Sequence, residues 1–352
     1  MNKITYYDFT NIIYSGLFIN GFLKNEDEYD YRFVVSNQMP PEFEDLNQDV
    51  LHYTQQPYSI LRYEGKEQFL FCIDAGDMNG SESTVEYYAP YLERCQYFFK
   101  VNYNADVIAQ TDLLNRYASK IKPVPIVYPI ALSRPWLLRP RFGGPGWSLA
   151  AIKRRSKDLL KTVRLNNYRK LRHIDEDLDL FFTISLYKDP MYEEVNQKRR
   201  ILVDLINDKM KKYNILAGYI CLDNESSADC GPNQIQAMRH SDVLRHYARS
   251  RVGLYVRGLH GCLSYKFGEL MALGTPIAGE TILNNRANMY TYDHFEEQFA
   301  YDDPEELVDR TVYLLEHPRY LEELKRANIE TFENHFTPKP VVKSILDQMD
   351  LS

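Results

Sequence analysis

A chain of 352 residues, 44% hydrophobic and 26% charged, is long enough for two packed domains and too apolar for a long disordered tract. Its net charge of −7 gives the surface no general attraction for nucleic acid. The five cysteines, Cys72, Cys95, Cys221, Cys230 and Cys262, are odd in number and widely spaced. That spacing argues against a disulfide framework or a zinc site and for a reducing, cytoplasmic setting.

The opening MNKITYYDFTNII has neither the charged start nor the apolar run of a signal peptide. No stretch approaches the roughly 18–20 apolar residues of a membrane span. Runs at 4–9, 32–36, 69–74, 97–103 and 125–128 read as buried strands, with connecting segments at 83–94 and, more clearly helical, 105–120. The 69–74 run ends in Asp74-Ala-Gly-Asp77, two carboxylates at the carboxyl end of a strand, where open α/β sheets place their ligands. Asp74 and Asp77 are therefore candidate general bases, and Glu82 and Glu86 are further carboxylates nearby.

Residues 134–172 differ in composition, with twelve Lys or Arg against one acid, Asp158. A Pro- and Gly-rich loop over 134–147 contains Trp136 and ends in Trp147. A helix over 148–164 follows, with an apolar stripe of Leu149, Ile152, Leu159, Leu160 and Val163 among Lys153, Arg154, Arg155 and Lys157. Two readings stay open for it: a solvated linker, or a contact with a phosphorylated or lipid-linked acceptor at an anionic membrane surface. Nucleic-acid binding is disfavoured by the acidic remainder. The acidic run 175–179 marks a domain boundary. Asp177 and Asp179 imitate an Asp-x-Asp metal motif, but they adjoin a linker, and no His or Cys cluster accompanies them, so no metal is expected.

A second α/β unit follows: strand 180–185, helix 192–212, strand 215–221, helix 241–249, strand 252–256, helix 264–273, strand 276–278, then helices at 304–316, 318–332 and 338–349. Loop 257–264 lies between a strand end and a helix start, a position that favours phosphate through free N–H groups and the helix dipole. Arg257 and Lys266 add charge there. Glu269, on the same helix, can accept from ribose hydroxyls. Lys188 and Arg199, near the start of the unit, are further phosphate candidates.

This block resembles the donor-binding core of GT-B glycosyltransferases, most clearly in Glu269-Leu-Met-Ala-Leu-Gly-Thr-Pro276. Asp303-Pro-Glu-Glu-Leu, Tyr313-Leu-Leu-Glu-His-Pro-Arg and Glu333-Asn-His-Phe-Thr337 are similar to the closing helices of the same families. The resemblance covers about 100 residues in family order. It implies an α/β fold of two Rossmann-like domains with parallel sheets facing a cleft. The acceptor domain would be 1–133, a basic linker 134–179, the donor domain 180–337, and 338–352 a helix crossing back onto the first domain. It also implies that Glu269 holds the donor ribose and that the loop of His260, Gly261, Cys262, Leu263, Ser264 and Tyr265 lies by the diphosphate. Arg257, Gly258, Ser264 and Lys266 are similar to an exostosin-like arrangement. Gly261 stands where many retaining members carry a second Glu, which leaves the stereochemistry open.

The activity so implied is transfer of a sugar from a nucleotide-sugar co-substrate, without cofactor, to a glycan or lipid-linked acceptor in cell-surface polysaccharide or lipopolysaccharide synthesis. The enzyme would be cytoplasmic, peripheral on the inner face of the membrane. The rival readings are a GT-B nucleotide-sugar epimerase and a non-catalytic nucleotide-sugar-binding protein.

Overall fold

A computed structural model of the chain describes residues 1–7, 14–36, 39–45, 58–77, 79–80, 85–132, 162–187, 190–220, 231–349 and 351. Lys188, Glu82, the side chain of Glu86, the Trp136–Trp147 loop and most of the expected 148–164 helix lie outside them.

The first half builds a six-stranded sheet from β1 (Asn2–Tyr7), β2 (Tyr31–Ser36), β3 (Tyr58–Glu64), β4 (Gln68–Asp74), β5 (Tyr97–Lys100) and β6 (Ile121–Pro123). Its order is β2-β1-β3-β4-β5-β6. Only β3 runs antiparallel to its neighbours, pairing Ile4 with Tyr63 and Ile60 with Cys72. Because β3 runs against both flanking strands, β1 and β4 point the same way, so the ends of β4 and β5 open on the edge where α1 (Ser15–Asn25) begins. Helices α2 (Ala89–Arg94), α3 (Ala105–Gln110) and α4 (Asp112–Arg116) complete this half. The expected strand at 125–128 is instead an extended link without a ladder, with Ile126, Val127 and Tyr128 buried in the apolar core.

In the second half β7 (Leu178–Ile184), β8 (Ile215–Ile220), β9 (Gln234–Ile235), β10 (Ser250–Tyr255) and β11 (Ile277–Gly279) form an all-parallel sheet in the order β11-β10-β7-β8-β9. Connections from β7 and β10 leave in opposite directions, which opens a crevice between their carboxyl ends. Between these strands run α5 (Leu165–Leu171), leading in, then α6 (Glu193–Lys209), α7 (His240–Arg249) and α8 (Tyr265–Leu273). The short helices α9 (Arg286–Met289) and α10 (Asp293–Gln298) lead to α11 (Pro304–Glu316) and α12 (Pro318–Thr331). Apolar residues of α6, α11 and α12 cover one face of the sheet, burying Leu180, Val203, Val308 and Leu324.

A larger apolar cluster runs without a break from Ile4, Phe22 and Phe71 of the first half through Tyr128 to Phe267, Phe295 and Phe336 of the second. After the π-helical turn Phe332–Phe336, helix α13 (Pro338–Asp347) returns to the first half and packs on α1. The crossing is close: a Cβ on Gly21 would sit 2.3 Å from both the Pro338 carbonyl oxygen and a Val342 methyl, so only glycine admits α13 there. Asn25 Nδ2 donates to the Lys339 carbonyl at 3.0 Å across the same contact. Among the described residues, no helix is long and apolar enough to cross a membrane.

Candidate active site

The crevice at the ends of β7 and β10 holds a cavity of about 200 Å³. Asp77 and Tyr14 line it from the first half, and Arg199, Arg257, Ser264, Tyr265 and Lys266 line it from the second. A second cavity of about 320 Å³ lies beside it, sharing Arg199, Arg257 and Gly258 as a common wall and adding His260, Gly261, Glu280 and Asp302.

Helix α8 starts where its sequence directs. Ser264 is extended and its hydroxyl accepts from the Lys266 N–H, the bond expected of a Ser N-cap. The positive end of the helix dipole lies at the crevice, which Ser264, Tyr265 and Lys266 line. Loop 258–264 reaches this point through two consecutive left-handed residues, His260 at φ 56° and Gly261 at φ 69°. A side chain at 261 would be strained by that backbone, so the missing second Glu of the retaining pattern coincides with a position that favours glycine.

Three cations converge here, each fixed differently. Lys266 is enclosed and its Nζ donates to the Thr183 carbonyl at 2.5 Å. Loss of solvent, then repulsion from Arg199, lowers its pKa to about 8 against a partial counterweight from Glu269. Arg199 is buried, donates to the Ser185 carbonyl at 2.5 Å, and lies over the Tyr187 ring at 4.5 Å. Arg257 is held by Glu280 at 3.3 Å and Asp302 at 3.0 Å, while its own N–H donates to Glu280 at 2.7 Å. Burial raises the Glu280 pKa, and the Arg257 bonds partly oppose this. With the α8 N-terminus, these groups suit a diphosphate.

Asp77 faces them from the other side of the crevice. Desolvation raises its pKa, helped by Asp74 and opposed by a hydrogen bond from the Cys262 thiol and by His260. Tyr265 beside it is pushed up to about 12 by desolvation, Glu269 and Asp77.

Two sequence expectations change. Asp74 does not present a base: it is buried 2.5 Å from the equally buried Lys100, whose ammonium also bonds the Tyr88 hydroxyl at 3.0 Å. Burial alone would lower the Lys100 pKa, but Asp74 and Tyr88 outweigh it and raise it. Asp74 Oδ1 also accepts the Gly76 N–H at 2.8 Å, so its part is to shape the turn that carries Asp77. Glu269 likewise is not offered to a ribose in this structure. It is 1% exposed, contacts His240 Nε2, and borders neither cavity.

The Asp-x-Asp pair is occupied by arginines, Asp177 by Arg249 and Asp179 by Arg251. Among the described residues, no group of three His, Cys, Asp or Glu is placed to hold a metal. Tyr14, Tyr187, Glu280 and Asp302 also line the two cavities, though no sequence motif marks them. Glu280 follows β11 directly and so obeys the same strand-end rule that singled out Asp77.

The fold, two α/β units opening on one crevice, is the arrangement that the GT-B resemblance implies. Residues 214–347 match the model of the family described as glycosyl transferase-like. The chain matches no curated protein. Among solved structures it is similar to a complex of S. aureus TarM (7% identity, TM-score 0.45), covering 76% of this chain and 47% of that one, so the chain spans about half the length of TarM. It is also similar to a glycosyltransferase from Rickettsia africae (12%, TM-score 0.45; 96% and 81% covered). WaaG, a glycosyltransferase involved in lipopolysaccharide biosynthesis, is a third (13%, TM-score 0.42; 93% and 80%). Likeness of this extent says nothing of substrate.

Proposed function

We propose that the protein transfers a sugar from a nucleotide-sugar donor to a glycan or lipid-linked acceptor in cell-surface polysaccharide or lipopolysaccharide synthesis. The observation that carries the reading is the opposition, across one cavity, of a carboxylate from the first half (Asp77) and a cationic cradle from the second (Arg199, Arg257, Lys266 and the α8 N-terminus). The cradle would hold the diphosphate and neutralise the charge that grows on it as the sugar leaves. Asp77 would take the proton of the acceptor hydroxyl, a role in which its raised pKa is an aid. Holding both partners in line supplies the remaining acceleration.

In this reading the cations take the place of a metal at the diphosphate, and turnover survives EDTA. Lys188, by its sequence position, would join the cradle. Work at the inner face of the membrane is part of the proposal and rests on the composition of 134–172.

A thermal-shift screen of nucleotide sugars, with free nucleotides as controls, tests the donor half of the reading. One nucleotide series should raise the melting temperature of the wild type and raise that of Lys266→Met by less. Failure of every nucleotide and nucleotide sugar to shift the wild type overturns it.

A further inference from the structure

We infer that Asn102 is a positioning residue that sets the distance between the Asp77 turn and the donor loop. This rests on the sugar-transfer reading only for its kinetic consequence. The contact itself is independent of it.

Asn102 lies two residues past the end of β5 and is 1% exposed. Its Nδ2 donates to the Gly76 carbonyl at 2.6 Å, and its Oδ1 accepts the Leu263 N–H at 2.7 Å. Gly76 adjoins Asp77. Leu263 lies between Cys262, whose thiol bonds Asp77, and Ser264, which caps α8. Gly76 offers only an acceptor here and Leu263 only a donor, so the carboxamide has a single orientation and both of its ends are used. A carboxylate at this place would lack the donor, an apolar residue would lack both groups, and glutamine would overshoot by a methylene.

Neighbouring residues repeat the pattern. The Tyr103 carbonyl accepts the Asn285 N–H at 2.5 Å, and Asn104 Nδ2 donates to Asn284 Oδ1 at 3.1 Å. Asn284 in turn donates to the Gly261 carbonyl at 3.1 Å, and Asn79 donates to the His260 carbonyl at 3.2 Å. Loop 258–264, which carries the donor-side backbone, therefore hangs on asparagine side chains from both halves, and Asn102 also grips the turn with the acceptor-side carboxylate. The apolar core fixes the two halves to one another, whereas Asn102 fixes the two reacting edges.

The test compares Asn102→Ala and Asn102→Asp with Asn285→Gly. Asn285 is also buried and also bridges the halves, through the Val124 and Pro125 carbonyls, but it touches neither reacting edge. Glycine there keeps the left-handed backbone. Asn102→Ala should lower kcat about 10²-fold, as misplacement by about 1 Å does, with donor and acceptor KM each within roughly threefold of wild type. Amide exchange should quicken together at 75–77 and 258–264. Asn285→Gly should lose stability and keep its kcat. Asn102→Asp retains the shape, and its carboxyl, once protonated, regains a donor for Gly76, so its turnover relative to wild type should rise as pH falls.

Retention of kcat in Asn102→Ala, an equal kcat loss in Asn285→Gly, or exchange that quickens on one edge only would overturn the inference. If Asn102→Ala does not fold, the pH response of Asn102→Asp decides. If the wild type transfers no sugar, the proposed function fails, and the exchange measurement alone decides whether Asn102 holds the two edges.

Discussion

Lys266 Nζ donates to the Thr183 carbonyl at 2.5 Å, so the ammonium is anchored to the end of β7 while burial and Arg199 weaken its hold on the proton. With a pKa of about 8, it is charged at neutral pH and half discharged one unit higher. A diphosphate needs the charged form. Nucleoside diphosphate affinity should therefore weaken about fivefold between pH 8 and pH 9, as the competent fraction falls. Lys266→Met should bind more weakly at pH 7 and show no such dependence, as isothermal calorimetry across this range would reveal. The sign for folding is opposite. The unfolded lysine titrates near 10.5, so the folded protein bears a penalty below pH 8 that is relieved as pH rises from 8 to 10.5.

Asp77 and Asp74 are three residues apart and should fail in different ways. Asp77→Asn should lower turnover about 10²–10⁴-fold with donor affinity and melting temperature unchanged. In the wild type the acid limb of kcat/KM should fall at a higher pH than an ordinary aspartate gives, because desolvation raises this carboxyl, and activity should grow as pH rises through it. Asp74→Asn strands the buried Lys100 ammonium and should cost about 3–5 kcal/mol of stability. Urea titration of both variants, with kcat scored per folded molecule, separates the two roles. Wild-type turnover in Asp77→Asn would place the base elsewhere.

Much of the second half is legible from local pattern because its elements end on local chemistry. The helix read at 264–273 is α8 at 265–273, started by the Ser264 cap and stopped at Gly274, whose φ of 76° suits glycine. Helix α1 leaves no helical signature in the sequence because it is buried nearly all round, from Ser15 to Leu23, and shows no polar stripe. Strand β3 escapes the sequence pattern because it reverses the parallel rhythm that the flanking strands set up. At the site, strand-end position and cap chemistry point to Asp77, Ser264 and Lys266, which line the cavity. The same rules mistake Asp74 and Glu269 for free carboxylates. Their partners, Lys100 and His240, lie 26 and 29 residues away, and only tertiary structure brings them near.

Glu333 joins the segment entering the second half to the turn that leaves it. Arg169 Nε and Nη2 reach its two oxygens at 2.9 and 2.5 Å, and Arg172 Nη1 reaches one at 2.8 Å. Burial would raise the Glu333 pKa, but the bonds from both arginines outweigh it and hold the pKa low. Its stabilising effect is thus full above the ordinary glutamate range and is lost as pH falls through the lowered value. Glu333→Gln should cost about 2 kcal/mol, in keeping with charged hydrogen bonds at a half-buried place. The deficit should shrink toward zero in acid. A constant deficit between pH 3 and pH 7 in denaturant titrations would show that the fork contributes by shape and not by charge.

The same fork bears on the basic segment. Arg169 and Arg172 are two of the twelve cations in 134–172, and Glu333 already holds them. Any attraction to an anionic surface therefore comes from the others, above all Lys153, Arg154, Arg155 and Lys157. Each cation near such a surface contributes about 1 kcal/mol, so four would hold the protein reversibly, and the apolar residues interleaved with them would meet the acyl boundary. The protein should float with vesicles containing phosphatidylserine at low salt and detach at high salt, as screening shortens the reach of the charges. Converting those four residues to Gln should abolish flotation, whereas Arg169→Gln should leave it intact and lower stability instead. Equal flotation with neutral vesicles, or none with either kind, would remove the membrane from the proposed function and leave sugar transfer to be judged by the donor and base variants alone.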